Sequence, residues 1–335
     1  VREKHTILVT AIGSFSAGAV IRKCRENGDK IIGTDIYPKE WLAEGNEVDR
    51  FYQIPRSDAG EDYMKALENI IKTENVTHLI PLTDAEIDVL NGKREALAPA
   101  VLCISPEKAV SVLRNKKKCA SAVKKVLAEC CPDGSVRTIP SKTLKNLDFD
   151  TIAYPLVIKP VNGRSSEGLH IVRNEDQLGF AIAEAENAEG AGKSEELLVQ
   201  PMIKGHVVTV DLVRDSRGNC VAVPREELLR TLNGAGTSVR IYRDPVLEEA
   251  CGKIAEYFGI LGCVNMEFIH GEGSGIYYFL ECNPRFSGGT AFTCEAGYDT
   301  VSNHMKVFEN AEISTDNGVS EGYLVKKYVE VKTKE

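Results

Sequence analysis

No apolar run in this 335-residue chain approaches the roughly 20 residues needed to cross a bilayer. At the N-terminus, "VREKHTILVTAIGSFSAGAV" breaks its apolar residues with threonine, glycine and serine, which reads as a first strand and turn and not as a signal peptide. The ten cysteines are scattered without a C-x-x-C, and the adjacent Cys130 and Cys131 have poor geometry for a disulfide. Cys103, Cys263 and Cys282 lie inside apolar runs as small core residues. Reduced thiols in a cytoplasmic protein are expected. The six histidines show no metal-ligand spacing, and neither a G-x-x-x-x-G-K-[ST] loop nor a G-x-S-x-G turn is present. Basic residues are the minority: 41 Lys and Arg against 49 Asp and Glu give a net charge of −8. That balance argues against a general nucleic-acid or membrane-surface binder, while a local cation cluster for a small anion stays allowed.

What is present is enough apolar residue, 43%, for two or three domain cores. "HTILVTAI", "DKIIGTDI", "VTHLIPL" and "AVLCIS" read as strands, alternating with helical patterns at 19–27, 61–74 and 84–98. That alternation predicts a doubly wound parallel sheet over residues 1–105. A helix-rich stretch follows, carrying "RNKKKCASAVKKVLAE" at 114–129, then "YPLVIKPVNGRSSEGLHIV" as strand, glycine-serine loop and strand. A helix over 174–189 leads to "EGAGKSEE", and beyond it the pattern is mostly β, interrupted by a helix at 245–258. The glycine-rich turn "AIGSFSAG" with Asp35 about twenty residues on imitates a dinucleotide fingerprint, but Gly13 and Gly18 are wrongly spaced for G-x-G-x-x-G.

Three stretches carry chemistry. "CVNMEFI" and "IYYFLECN" read as a hairpin around "HGEGSG", which brings Glu267 close to opposite Glu281. Period-two alternation puts Glu281 and Asn283 on one face and Cys282 on the other. Two carboxylates and an amide oxygen at the end of an apolar sheet suit Mg²⁺, which takes hard oxygen donors and completes its shell with water and phosphate. Lys159 follows an apolar strand, so its stem can pack while its head holds a phosphate, and Gly163, Ser165, Ser166 and Gly168 let backbone amides approach an anion. Lys116, Lys117 and Lys118 open a helix; cations there oppose the macrodipole, a placement an anion would relieve.

Taken in order, the lysine before a glycine-rich hairpin, "LLVQPMIKG", Glu267, and "ECNPR" fourteen residues on resemble the ATP-grasp superfamily, in its carbamoyl-phosphate-synthase-like branch. The resemblance spans about 106–310. It implies a Rossmann-like pre-ATP-grasp domain (1–105) and a two-lobed α/β and α+β fold, with a small lobe at 106–195 and a large lobe at 196–335. It implies ATP and two Mg²⁺ ions, with Mn²⁺ able to substitute. Lys159, Lys116 and Lys118 would contact phosphates, and the loop from Gly163 to Gly168 would close over them. Val199, Gln200, Met202 and Ile203 would form the adenine hinge, Glu267, Glu281 and Asn283 would hold metal, and Arg285 would face the phosphoryl group. Pro201 and Val207 stand where the family carries acids that hold adenine or ribose, and Asp211 is the candidate substitute.

The implied reaction is ATP-dependent coupling of a small carboxylate to an amine through an acyl phosphate. Arg225 and Arg240 are candidates to clamp the substrate carboxylate, against the alternative of salt bridges with Glu226 or Glu227. Two rivals stand beside it: a carboxyphosphate-forming enzyme, and a nucleotide-binding protein that has lost catalysis. Small-molecule carboxylate and amine are the expected partners, without nucleic acid or membrane, and a homodimer is left open.

Overall fold

The structure is a computed structural model that describes residues 4–148, 152–161, 168–190, 197–232, 234–316 and 318–333. The first segment runs β1 (Thr6–Val9), α1 (Ala17–Glu26), β2 (Lys30–Asp35), β3 (Arg50–Gln53), α2 (Glu61–Glu74), β4 (His78–Ile80), α3 (Asp84–Leu90) and β5 (Val101–Leu102). Among the described residues these strands form one parallel sheet in the order β3-β2-β1-β4-β5. Helices cover both faces, so Ile7, Leu8, Val9, Ile31 and Ile32 are fully buried, as parallel strands require. The strand order reverses between β1 and β4, which opens a crevice at their C-terminal ends. There α3 begins under a reciprocal cap: the Thr83 hydroxyl accepts from the Glu86 N–H, and the Glu86 carboxylate accepts from the Thr83 N–H. The helix expected over 84–98 stops at Leu90, and Gly92 follows with φ +85°.

The chain continues through α4 (Glu107–Leu113), α5 (Lys116–Cys130), β6 (Val136–Thr138), β7 (Lys142–Thr143), β8 (Leu156–Pro160), β9 (His170–Val172), α6 (Glu175–Gly190) and β10 (Leu197–Pro201). Four of these strands make an antiparallel sheet, β7-β10-β8-β9, over a small core of Leu156, Ile158, Val172, Leu178 and Val199. The rest is β11 (Gly205–Arg214), β12 (Cys220–Arg230), β13 (Gly236–Ile241), α7 (Pro245–Phe258), β14 (Gly262–Gly271), β15 (Tyr277–Asn283), α8 (Thr290–Glu295), α9 (Thr300–Phe308) and β16 (Gly322–Val325). Their seven-stranded sheet has the order β16-β13-β12-β11-β14-β15-β6.

The lobes divide differently from the contiguous segments expected. The apolar face of α5 (Cys119, Val123, Val126, Leu127) joins the core beneath β14 and β15, and β6 pairs with β15, so residues 113–138 belong with the large sheet, while Val110 of α4 packs in the first domain's core. Conversely β10 pairs with β7 and β8 in the small sheet, beyond the boundary expected at 195. The first sheet and the large lobe share one core, in which Ile12, Val20 and Ile21 belong to the same cluster as Phe286, Val301 and Met305. This common core holds the first domain's crevice against the end of β15.

Candidate active site

β14 and β15 pair antiparallel with Asn265 opposite Asn283, Met266 opposite Cys282, and Glu267 directly opposite Glu281. A register shift follows Glu267, so the acids meet at the last regular pair before the ladder is interrupted. Cys282 turns into the core at 2% exposure, which leaves Glu281 and Asn283 together on the other face. Asn283 donates to Glu281 Oε1 at 3.2 Å and to Asn265 Oδ1 at 3.3 Å, so its side-chain carbonyl is the group it can offer a cation. Lys116 lies 3.2 Å from Glu281, and Arg230 3.3 Å from Glu267. Burial pushes the Glu267 carboxyl up, and the facing Glu281 adds to it. Burial opposes ionisation of Glu281 as well, but Lys116, the Asn283 bond and Lys159 outweigh it and hold that carboxyl below the usual range.

Among the described residues no group of three or more His, Cys, Asp or Glu side chains is arranged to hold a metal. The donor set is two facing carboxylates and an amide, which fits Mg²⁺ completed by phosphate and water better than a soft or fully protein-ligated ion. Two acids drawn together, one held ionic by Lys116 and Lys159 and the other pushed up by burial and by its neighbour, are also the arrangement that a divalent cation stabilises.

A cavity of 450 Å³ lies between the small and large sheets. Its wall is apolar, with Ile139, Val157, Ile171, Val207, Ile269 and Leu280, and one end is charged, with Lys116, Lys159, Glu267, Glu281 and Arg285. Lys159 projects from β8 opposite Leu198 and is 8% exposed; burial pulls its ammonium below the usual lysine range, against the pull of Glu281. Lys116 begins α5, its N–H donating to the Val161 carbonyl at 3.1 Å. Gln200, Met202 and Ile203 of the expected hinge line this cavity, as do Pro201 and Val207. Val199 alternates away and is buried in the small core. Gly168 has φ +69°, and a Cβ there would come 2.9 Å from Pro160, so the close of the loop needs glycine. Gly163, Ser165 and Ser166 lie outside the described residues. The Lys118 side chain is exposed and does not line the cavity; its backbone N–H serves the Asn115 cap of α5.

Sequence reasoning missed two side chains at this end. Asp84, the first residue of α3, accepts from Arg285 Nη2 at 2.8 Å and lies 3.4 Å from Arg114. Burial opposes its charge, but Arg285 and Arg114 hold the carboxyl below the usual range. Arg230 reaches Glu267 from the end of β12. The capping pattern beginning at Thr83 was legible, but nothing local in either stretch points to a partner so far along the chain.

A second cavity of 460 Å³ adjoins the first and shares Asp84, Gly234, Glu267 and Arg285 with it. The first domain contributes residues 13–16 and 82–85, and the large lobe contributes Arg225, Glu227, Asn265 and residues 286–289. Here three expectations need correction. Arg225, proposed as a substrate clamp, is 1% exposed and already engaged: Nη1 donates to Asp211 and Thr293, Nε to Glu227, and Nη2 to Ser287. Asp211, proposed as a nucleotide ligand, is 1% exposed beneath that guanidinium at 2.6 Å. Burial works against the Arg225 charge, and Asp211 with Glu227 more than compensate, so the cation is locked in place. Arg240 lies on β13, half-exposed, in a salt bridge with Glu226 at 2.9 Å and beside the Tyr242 ring, and it lines neither cavity.

Residues 193–331 match a family model described as ATP-grasp in the biosynthetic pathway with Ter operon. The carbamoyl phosphate synthase large chain of Clostridium botulinum is 30% identical over 148 residues, covering 42% of this chain and 13% of that one. The N-terminal section of the Methanopyrus kandleri large chain is 23% identical over 304 residues, 85% of this chain and 51% of its own length. This chain therefore spans about half or less of the curated relatives it matches. A Campylobacter jejuni biotin carboxylase, solved as a complex with a β,γ-ATP ligand, superposes with a TM-score of 0.77 at 19% identity, over 95% of this chain and 74% of that one.

Proposed function

The chain belongs to the ATP-grasp superfamily, and from that premise we propose that it is an ATP-dependent ligase joining a small-molecule carboxylate to an amine. The observation that carries this is the Glu267–Glu281 pair, placed where an apolar slot with a cationic end meets a second polar cavity. Adenine fits the apolar slot beside Gln200 and Met202, with the phosphates toward Lys159 and Lys116. Glu267, Glu281 and Asn283 would hold Mg²⁺, or Mn²⁺ in its place, as two ions; bound there the metal neutralises phosphate charge. The carboxylate would enter from the second cavity, beside Arg285.

A carboxylate is a poor acyl donor because its leaving group would be oxide. Attack of a carboxylate oxygen on the γ-phosphorus of ATP, with cleavage of the bond to ADP, makes an acyl phosphate. An amine then adds to the acyl carbon, loses a proton, and phosphate leaves. Lys159 and Lys116 offset the repulsion between two anions brought together, and fixed geometry supplies much of the remaining rate gain. Arg285, oriented by Asp84, is positioned beside the reacting groups. The carbamoyl phosphate synthase relatives favour a second reading with bicarbonate as the carboxylate and a carboxyphosphate intermediate. The 460 Å³ second cavity is larger than bicarbonate needs and favours a larger acid. All ten cysteines are free, which supports a reducing compartment such as the cytoplasm.

The test is ADP release with ATP and Mg²⁺ across a grid of amino acids and metabolite carboxylates, each with an amine pool and with bicarbonate as a separate arm. Release that needs both a carboxylate and metal is expected. ATP bound without metal dependence and no release from any arm would make this a nucleotide-binding protein without catalysis.

A further inference from the structure

Glu227 is the unusual group of the second cavity. Its carboxylate is buried, with one oxygen, Oε1, accepting from Arg225 Nε at 3.1 Å. The other, Oε2, is buried and has no hydrogen-bond partner among the described residues, although the side chain lines the cavity. An ionic oxygen without a donor in a desolvated site carries a cost that a ligand's N–H can remove. The backbone makes room for it: a Cβ on Gly236 would collide with Glu227 Oε2, and one on Gly289 would come 2.7 Å from Arg225 Nη2. The cation beside Glu227 is largely committed, because four of the five guanidinium N–H groups of Arg225 go to Asp211, Glu227, Ser287 and Thr293. Lys326 donates to the Gly288 carbonyl at 2.9 Å. Arg285 lines the same cavity, as do Asp84 and Glu267.

We propose that Glu227 reads an ammonium group on the carboxylate substrate, so that the acid activated here is a zwitterionic amino acid whose carboxylate lies toward Arg285. Resting on the ligase reading, this reverses the charge that the sequence suggested for this wall of the pocket. Arg225 is a positioning residue that holds Glu227, and the substrate's positive group meets the free carboxylate oxygen. A site built around such a bond rejects an analogue that lacks the donor, because the buried acceptor is then left unpaired.

The full chain is incubated with ATP, Mg²⁺ and hydroxylamine, which converts any acyl phosphate to a hydroxamate and phosphate whatever the natural amine. Two carboxylate sets are compared: the common L-amino acids, and the same acids with hydrogen in place of the amino group. At least one amino acid should form hydroxamate with kcat/KM roughly 100-fold above its deaminated partner. Glu227→Gln should narrow that ratio to within about threefold, and Glu227→Asp should keep most of it. Equal rates for the two sets with the unaltered chain would overturn the role of Glu227 and leave the ligase reading standing, and this comparison needs no variant to fold. No hydroxamate from either set would overturn acyl phosphate formation itself and this inference with it.

Discussion

Arg285, two residues beyond the end of β15, donates from Nη2 to the Asp84 carboxylate at 2.8 Å, joining groups 201 residues apart in sequence. Asp84 begins α3 at the crevice of the parallel sheet, so the first domain sets the direction of a guanidinium in the large lobe. Replacing Asp84 by Asn keeps the shape and removes the charge, which frees Arg285 and leaves Arg114 with Asp88 alone. We expect kcat/KM to fall roughly 10- to 100-fold from misplacement of Arg285. Steady-state ADP release by Asp84→Asn checks this, and a rate within twofold of the unaltered chain would remove Asp84 from the site.

Glu281→Gln should abolish ADP formation, by roughly 100-fold or more, while the fold survives. Glu281 faces Glu267 and receives Lys116, so the amide loses the charge a divalent ion needs but keeps the bond from Asn283. Circular dichroism and ADP release measured together are the check; unchanged turnover would sink the metal assignment.

Two arginines that looked alike in sequence should behave oppositely. Arg225→Ala strands Asp211 and Glu227 in the core and should cost roughly 3–5 kcal/mol of stability. Arg240→Ala removes an exposed pair with Glu226 and should change stability by less than about 1 kcal/mol. Urea unfolding of both variants decides it, and comparable losses would contradict the burial difference.

His304 is buried against Phe286 and Phe308 with Nδ1 accepting from the Cys263 N–H at 2.8 Å. Burial lowers its pKa to about 3, so the folded chain keeps it neutral where the unfolded chain, near 6.5, takes up a proton. Above about pH 6.5 the group contributes no pH dependence. From there down to about pH 3 the unfolded state binds the extra proton, and this residue destabilises the fold by about 1.4 kcal/mol per pH unit. Urea midpoints between pH 7.5 and 5 should show that slope, and His304→Asn should remove it; an identical slope in the variant would place His304 elsewhere.

Local pattern alone was sufficient for the parallel sheet, for the β14–β15 hairpin, and for Glu281 and Asn283 sharing a face opposite Cys282. Each of these follows from periodicity and a short turn, which act over a few residues. The same alternation, applied to β10, would have separated Val199 from Gln200, since neighbours on a strand face opposite ways. That Glu267, Glu281 and Asn283 come together was also readable, because strand pairing and alternation bring them to one place. Only the tertiary structure decided which charges remain available. Arg225 in sequence is a cation near two acids; in the fold, Asp211 from the adjacent strand, Glu227, Thr293 and Ser287 from beyond β15 take four of its five donors. Glu227 is left with a free oxygen and Arg240 is turned to solvent. Whether a charged side chain binds a ligand or its own protein depends on desolvation and on partners from distant strands, and neither is written in its neighbours along the chain.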